Sequence, residues 1–272
     1  MVVFKLEITV GIKMDYFIWN IDPIAISVGF VKVRWYGLMF ASAFISSYLL
    51  MSWIYEREGK NLEEIDDLLT YAAIGTILGA RLGHCLFYDP AYYFSQPLKI
   101  LAIWEGGLAS HGAILGILIA LYFFQRRVTE SYSWFIDRVA LVSALGAGFI
   151  RTGNFFNSEI YGEPTTVPWA VVFQRIDLLP RHPVQLYEAI SYLLIFFLLL
   201  FMYKIRGANS RSGVIFTTFL VSVFSARFFL EFVKTKQAAY SNDFWMTTGQ
   251  MLSIPFVLAG LIFIAMPLFK KN

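Results

Sequence analysis

The stretch from Arg151 to Gly162 combines groups that could bind a ligand carrying both phosphate and hydroxyl groups. Arg151, Asn154, Asn157 and Glu159 fall within a run of nine residues. A guanidinium offers paired donors to phosphate oxygens, whereas amides and carboxylates bind hydroxyl groups. Asparagine and glycine could also cap a helix C-terminus here, but capping leaves the arginine and the glutamate together unexplained. We therefore predict a binding site in this segment.

A second arginine, Arg227, stands four residues before Glu231, so the two side chains share a face of a predicted helix. They could simply neutralise each other as an intrahelical ion pair. Alternatively, Glu231 could orient the guanidinium of Arg227 while its free donors bind a phosphate. The two interpretations are compatible, and the spacing does not choose between them.

His111 lies in a glycine-rich segment that opens another predicted helix. Small residues permit close helix packing, which would account for the glycines alone. A neutral imidazole can take a proton from a thiol or hydroxyl near physiological pH. His111 is therefore predicted to be a general base or positioning group, with a hydrogen-bonded structural histidine as the alternative.

No metal site or cofactor is expected. The three histidines include no ligand-spaced pair such as His-x-x-x-His, and the segment from His182 to Glu188 could be a capped helix start. Cys85 is the single cysteine, so no disulfide can form within the chain, and its apolar surroundings favour packing over reactivity. No motif of serine hydrolases, nucleotide sites or dinucleotide sites is present.

The elements that must position these groups are transmembrane helices, because 58% of the residues are hydrophobic and only 15% are charged, with a mean hydropathy of +0.61. We predict an all-α integral membrane protein with about seven transmembrane helices. We expect residues 1–35 to form an N-terminal interfacial arm and residues 36–272 to form the transmembrane domain that carries the site. The net charge of +3 gives no reason to expect a nucleic-acid partner. The predicted spans are Tyr36–Tyr55, Asp67–Tyr88, Gly106–Phe124, Trp134–Phe156, Pro183–Tyr203, Gly213–Val233 and Thr247–Phe269.

The polar residues of these spans fall at one side of the bilayer. Helices of alternating direction would place Tyr36, Arg81, His111, Arg151 and Arg227 in the same leaflet. Lysine and arginine are denser in the short loops of the opposite side, which marks that side as cytoplasmic. We therefore predict a periplasmic-side polar site, with the N-terminus outside and the C-terminus in the cytoplasm.

At these positions the chain resembles the phosphatidylglycerol–prolipoprotein diacylglyceryl transferases, and the resemblance covers nearly the whole chain in order. Its most specific part is the pattern Arg-x-Gly-Asn-Phe-x-Asn-x-Glu from Arg151 to Glu159. The family usually has a second glycine after the His-Gly pair, where this chain has Ala113. The matching segments are Arg34–Gly37, Gly79–Gly83, His111–Gly112, Arg151–Gly162, His182–Glu188 and Arg227–Glu231.

The resemblance implies an enzyme of the bacterial cytoplasmic (inner) membrane that begins lipoprotein maturation. It would move the diacylglyceryl group of phosphatidylglycerol onto the lipobox cysteine of a prolipoprotein signal peptide, forming a thioether and releasing glycerol phosphate. Its partners are thus phosphatidylglycerol, the prolipoprotein and membrane lipids, with no cofactor or metal. The implied catalytic residues are His111, Arg151 and Arg227, and the implied substrate-binding residues are Tyr36, Arg81, Asn154, Asn157, Glu159, Gly162 and Glu231.

Within those sets, Arg151 and Arg227 would hold the phosphate, and His111 would deprotonate or orient the incoming cysteine. Asn154 and Glu159 would bind glycerol hydroxyls or hold Arg151. Glu231 would orient Arg227, and Tyr36 would line the entrance.

The main alternative is a lipid or anion transporter or scramblase, because intramembrane arginines often line anion pathways. A structural or receptor-like bundle comes third, because it has less need of so many polar residues within its spans. An enzyme would release glycerol phosphate only when an acceptor peptide is present, whereas a scramblase would release none.

Overall fold

Seven long helices form the apolar segments of the part of the chain that the structure describes. A computed structural model describes residues 3–5, 15–29, 31–87, 89–103, 107, 109–206, 213–235 and 246–269. Within this part, one long helix occupies each predicted span, and a short helix, α3, lies in a connection. The helices are α1 Trp35–Arg57, α2 Glu64–Phe87, α3 Pro90–Ser95, α4 Ser110–Phe124, α5 Tyr132–Phe156, α6 Val184–Arg206, α7 Val214–Leu230 and α8 Thr248–Phe269.

Four stretches among the described residues are long and apolar enough to cross a membrane: Trp35–Arg57, Tyr132–Phe156, Val184–Ile205 and Val214–Val233. The chain is therefore a mostly helical protein with helices of membrane-spanning character. Helix α2 carries acidic residues in its first turn, and α4 has only 15 residues. Helix α8 contains a shorter apolar stretch, Gly249–Ala265.

The chain is mostly helical, as predicted, but it is not all-α, because short strands form two sheets. The larger sheet has the order β1-β2-β5-β6, and the smaller one pairs β3 with β4. These strands have two to five residues each, too few for a reliable alternation of apolar and polar positions. They are β1 Val3–Lys5, β2 Asp15–Trp19, β3 Ile24–Val28, β4 Val31–Arg34, β5 Val171–Phe173 and β6 Pro180–Arg181.

The chain divides into two compact units. The first consists of residues 1–47, 140–210 and 214–272, and the second of residues 48–139 and 211–213. In the first unit, β2 runs parallel to β5 although about 150 residues separate them. The ring of Trp19 in β2 lies 4.2 Å from that of Phe155, and both pack in a cluster with Phe173 of β5. The larger sheet is thereby fixed to the C-terminal end of α5.

The long helices of the first unit pack antiparallel. Gly146 and Gly153 of α5 face Ala43 and Tyr36 of α1, in reverse order. Phe224 of α7 stacks on Phe256 of α8 with ring centroids 4.3 Å apart. Since consecutive helices reverse direction, the end of α5, the start of α6, the end of α7 and the start of α8 lie at the same side of this unit.

In the second unit, glycines set the distance between α2 and α4. A Cβ added to Gly75 would lie 2.6 Å from the carbonyl oxygen of Gly116, and one on Gly83 would lie 2.8 Å from the Cα of Gly112. These separations are shorter than any van der Waals contact, so a side chain at either position would push the helices apart. The unit also buries an ion pair between Arg138 and Glu58, with a nitrogen–oxygen distance of 2.8 Å.

Candidate functional site

A buried carboxylate, Glu188 of α6, binds two cations in the first unit. Its Oε2 lies 2.8 Å from Nε of Arg151, near the end of α5. Its Oε1 accepts a hydrogen bond from Nζ of Lys234 at 3.2 Å. The side chain of Glu188 is 1% exposed and that of Lys234 is 4% exposed. Because an isolated buried charge is very costly, the three groups stabilise one another and fix each other's positions.

The first turns of α6 present one polar face to this centre. Gln185, Glu188 and Tyr192 follow helical spacing and are all buried. Gln185 Nε2 donates a hydrogen bond to the carbonyl oxygen of Glu159 at 2.6 Å. The hydroxyl of Tyr192 contacts the guanidinium of Arg151. Helix α6 thus holds both Arg151 and the segment that follows α5.

The predicted Arg151–Glu159 cluster is a continuous set of hydrogen bonds. Arg151 Nη1 donates to Asn154 Oδ1 at 3.0 Å, and Asn154 Nδ2 donates to Glu159 Oε2 at 3.3 Å. Asn157 Nδ2 donates to the other oxygen of Glu159, also at 3.3 Å. The chain can fold back in this way because Ser158 has a φ of 56°, a left-handed conformation just after the helix end.

Tyr36 belongs to the same region. Its ring packs on Gly153, where an added Cβ would lie 3.0 Å from Tyr36 Cδ2. Both Arg151 and Glu159 act electrostatically on its hydroxyl. The absence of a side chain at Gly153 therefore lets α1 bring Tyr36 to the edge of the cluster.

Gly162 packs tightly against other segments of the protein. It forms a β-bridge with Lys234, and an added Cβ would lie 2.6 Å from the carbonyl oxygen of Val233 and 2.7 Å from Cβ of His182. Thr235 donates from its hydroxyl to the carbonyl oxygen of Tyr161 at 2.7 Å. These contacts attach the segment after α7 to the loop after α5, and they place Lys234 beside Glu188.

Glu231 lies over the N-terminus of α8. A Cβ added to Gly249 would lie 2.5 Å from Cδ of Glu231, so only glycine allows the carboxylate this close. Thr247 and Gln250 exchange side-chain-to-backbone hydrogen bonds of 3.0 and 3.2 Å, which is a capping box. A helix N-terminus favours negative charge. The start of α8 therefore stabilises the carboxylate of Glu231.

The suggested ion pair between Arg227 and Glu231 is not formed among the described contacts. Helix α7 ends at Leu230 and a 3-10 turn begins at Glu231, so the two side chains lose the regular four-residue spacing. Glu231 instead lies 4.0 Å from Nζ of Lys234. Arg227, in the last turn of α7, acts electrostatically on Tyr192 and Lys234.

Several buried polar atoms around the cluster have no hydrogen-bond partner among the described residues. They are Asn157 Oδ1, Gln185 Oε1, Glu231 Oε2 and Gln250 Nε2. Buried polar atoms in folded proteins are nearly always paired. These atoms can serve the hydroxyl groups of a polar ligand. No cluster of His, Cys, Asp or Glu suited to a metal ion occurs in the described part of the chain.

Two other predicted site residues belong to the second unit. Arg81 is buried and donates to the carbonyl oxygens of Ile100 at 2.9 Å, Gly107 at 3.3 Å and Lys99. Its guanidinium thus holds the connection between α2 and α4. His111 is the second residue of α4, and its side chain lies outside the described residues.

Glu188 and Lys234 are not among the site residues predicted from the sequence. A usable signal existed for each: Glu188 is an acidic residue inside an apolar helix, and Lys234 follows Glu231 by three positions. Burial lowers the pKa of Lys234, while the carboxylate of Glu188 opposes that shift.

Comparison with known proteins finds a matching family and several similar relatives. The family model for prolipoprotein diacylglyceryl transferase matches residues 23–266. Three relatives named phosphatidylglycerol–prolipoprotein diacylglyceryl transferase are similar over most of their length. The one from Chloroherpeton thalassium is 50% identical over 92% of this chain and 94% of its own. The one from Tolumonas auensis is 51% identical over 93% and 98%, and the one from Porphyromonas gingivalis 44% over 89% and 92%.

Proposed function

Because this chain belongs to the prolipoprotein diacylglyceryl transferase family, we propose that it transfers the diacylglyceryl group of phosphatidylglycerol to the cysteine thiol of a prolipoprotein. One observation supports placing this reaction at the site described above. Arg151 and Lys234 are two cations that both contact the buried carboxylate of Glu188. The two cations can bind the oxygens of a phosphodiester.

The reaction is a displacement at the glyceryl carbon that bears the phosphate. The cysteine sulfur forms a bond to this carbon, and the bond from carbon to phosphate oxygen breaks. The electron pair leaves with glycerol phosphate, and the thiol proton passes to a base. Cations that bind the phosphate stabilise the charge that develops on it as the bond breaks.

Arg151, Arg227 and Lys234 are the phosphate-binding groups of this proposal. Glu188 fixes Arg151 through Nε, so the other edge of that guanidinium can bind phosphate oxygens. Arg227 has no carboxylate partner among the described contacts, which leaves its donors available to the same anion. Lys234 contributes a point charge rather than a paired donor.

Asn154, Asn157 and Glu159 are suited to the hydroxyl groups of the glycerol headgroup. Asn157 Oδ1 is buried without a described partner, and Glu159 accepts from both amides. Gly162 supports binding because its β-bridge with Lys234 holds the segment after α7 in place. Tyr36 lies at the edge of the cluster. Glu231 helps to position Lys234, whose Nζ lies 4.0 Å from its carboxylate.

The proton acceptor of this proposal is His111, because a neutral imidazole has a suitable pKa for a thiol. Arg81 supports the connection that precedes α4 and contributes to substrate binding through that connection. The acceptor is a lipobox cysteine of a signal peptide. The chemistry requires no metal or cofactor, since a thiolate and a stabilised phosphate suffice.

We propose seven membrane spans in the bacterial inner membrane, with residues 1–35 as an interfacial arm on the outer surface and residues 36–272 as the catalytic domain. The site lies at the ends of α5 and α7 and at the starts of α6 and α8. Under this topology it faces the periplasm, with the N-terminus outside and the C-terminus in the cytoplasm.

Mass spectrometry of a lipobox peptide tests the function. We expect incubation with purified protein and phosphatidylglycerol to add one diacylglyceryl group to the cysteine and to release glycerol phosphate. Arg151→Ala should abolish the product, whereas Lys32→Ala, at an exposed cation on β4, should not. An unmodified peptide under conditions where an established transferase works would refute the proposal and favour a lipid transporter.

A further inference from the structure

The connection between β5 and β6 exposes three aliphatic side chains. This connection, residues 174–179, is called the β5–β6 tip below. Ile176 is 43% exposed, Leu178 50% and Leu179 45%. Loops that face water are usually polar. Three exposed aliphatic residues within six positions therefore indicate an interaction surface.

The tip is held in one conformation by its own hydrogen bonds. The backbone N–H groups of Ile176 and Asp177 both donate to the carbonyl oxygen of Phe173, at 2.8 and 3.1 Å. Leu179 N donates to Asp177 Oδ1 at 3.1 Å. Arg181 donates to Asp177 Oδ2 from Nε at 3.1 Å, and to the carbonyl oxygen of Gly162 from Nη1 at 3.2 Å. The aliphatic side chains are therefore presented by a constrained turn that is attached to the loop after α5.

The tip is close in sequence to a candidate membrane span. Leu179 precedes Val184, the first residue of a candidate span, by five positions. At roughly 3.5 Å per residue, a fully extended chain would place it at most about 17 Å from the start of that span. The headgroup zone on each side of a bilayer is roughly 5–8 Å deep. A folded turn of this length is thus within reach of the lipid interface.

The charge of the tip favours an anionic surface. Asp177 is neutralised by its ion pair with Arg181 at 2.5 Å. Arg175, which is exposed beside Ile176, then supplies the net positive charge of the tip. Cations next to apolar side chains bind the surfaces of anionic membranes.

We propose that the β5–β6 tip inserts Ile176, Leu178 and Leu179 into the headgroup region of the outer leaflet, with Arg175 on anionic lipid headgroups. Because Arg181 connects the tip to the carbonyl oxygen of Gly162, the inserted tip sets the depth of the loop after α5 relative to the headgroups. The proposal depends on the chain spanning a membrane and is independent of the transfer activity.

Spin labelling of the full-length protein in phosphatidylglycerol-containing vesicles tests the insertion. A nitroxide at Leu178→Cys should be relaxed several-fold more by oxygen, which partitions into lipid, than by a water-soluble nickel chelate. The matched control is Thr166→Cys, an exposed position in the segment between α5 and β5, where the nickel chelate should dominate. Cys85 is buried, so unsubstituted protein gives the background signal.

Two results would overturn the insertion. Equal behaviour of the two positions would place the tip in water, and protection of position 178 from both reagents would indicate a protein contact instead. Arg175→Gln should reduce the oxygen preference at position 178 in anionic vesicles but not in phosphatidylcholine vesicles. An equal reduction in both would contradict the assigned role of Arg175. None of these readouts requires turnover, so a failed transfer assay would leave them interpretable.

Discussion

Nζ of Lys234 lies 3.2 Å from Oε1 of Glu188, although 46 residues separate them and they lie on different elements. The same carboxylate binds Arg151 at 2.8 Å. Glu188 is therefore the residue that brings the end of α5 and the segment after α7 to one point. Its role in positioning both cations leads to the first prediction.

Replacing Glu188 by glutamine should abolish transfer and destabilise the fold. The substitution leaves two buried cations without their carboxylate, and removal of one partner from a buried ion pair costs about 3–5 kcal/mol. Thermal unfolding in detergent and the peptide transfer assay would measure the two effects. Glu163→Gln, at an exposed position between α5 and β5, is the control and should preserve both. Wild-type stability of the Glu188 variant would show that the pair contributes little.

The alkaline limb of the pH–rate profile should depend on Lys234. Burial lowers the pKa of this lysine, so its cationic form is lost at a lower pH than that of a free lysine. Since the cation binds phosphate in our proposal, the transfer rate should fall as Lys234 deprotonates. Lys234→Arg keeps the charge at all accessible pH values and should move the alkaline limb upward. An unchanged limb would assign it to another group.

Glycine at position 249 should be required for the position of Glu231. A Cβ at Gly249 would lie 2.5 Å from Cδ of Glu231, so Gly249→Ala must displace the carboxylate from the start of α8. We expect kcat/KM to fall at least tenfold, which corresponds to about 1.4 kcal/mol of lost transition-state stabilisation. The control is Gly146→Ala in α5, where the added Cβ would make ordinary contacts of 3.7 and 3.8 Å. Equal activity of both variants would contradict the role of this contact.

The helical part of the fold follows from local properties of the sequence, whereas the strands do not. A helix of about 20 apolar residues carries its own signal, and one helix was found on every predicted span. Strands β5 and β6 have three and two residues and depend on partners elsewhere in the chain. The pairing of β2 with β5 is a tertiary contact, so no local sequence pattern predicts it.

The site was predictable to the extent that it is local. Arg151, Asn154 and Glu159 lie within nine residues, and in the structure hydrogen bonds join them. The ion pairs of Glu188 cross between helices, and the position of Glu231 depends on where α8 begins. These contacts depend on which helices lie next to each other. The spacing of residues along one helix does not predict that arrangement.

Replacing Gly79 by a larger residue should disrupt the close packing of α2 against α4. Gly79 faces Gly112 and Gly116, and a Cβ there would lie 2.8 Å from Cα of Gly116. Gly79→Leu should therefore lower the melting temperature by several degrees, because the helices must separate and lose their contacts. Gly37→Leu, with open space around the added side chain, is the control. Circular dichroism in detergent measures both, and matching melting curves would contradict the packing argument.

His182 should make stability depend on pH in the mildly acidic range. Burial lowers the pKa of His182 below its ordinary value of about 6.5, so the folded protein favours the neutral ring more than the unfolded chain does. The unfolded state then binds more protons as the pH falls below about 6.5, and the free energy of unfolding decreases until the folded-state pKa is passed. His182→Gln should flatten this dependence, because its amide carries no titrating proton and can still hydrogen-bond to the hydroxyl of Tyr187, which lies 3.2 Å from Nδ1. Thermal unfolding between pH 5 and 8 of both proteins measures the difference, and parallel curves would assign the pH dependence to other groups.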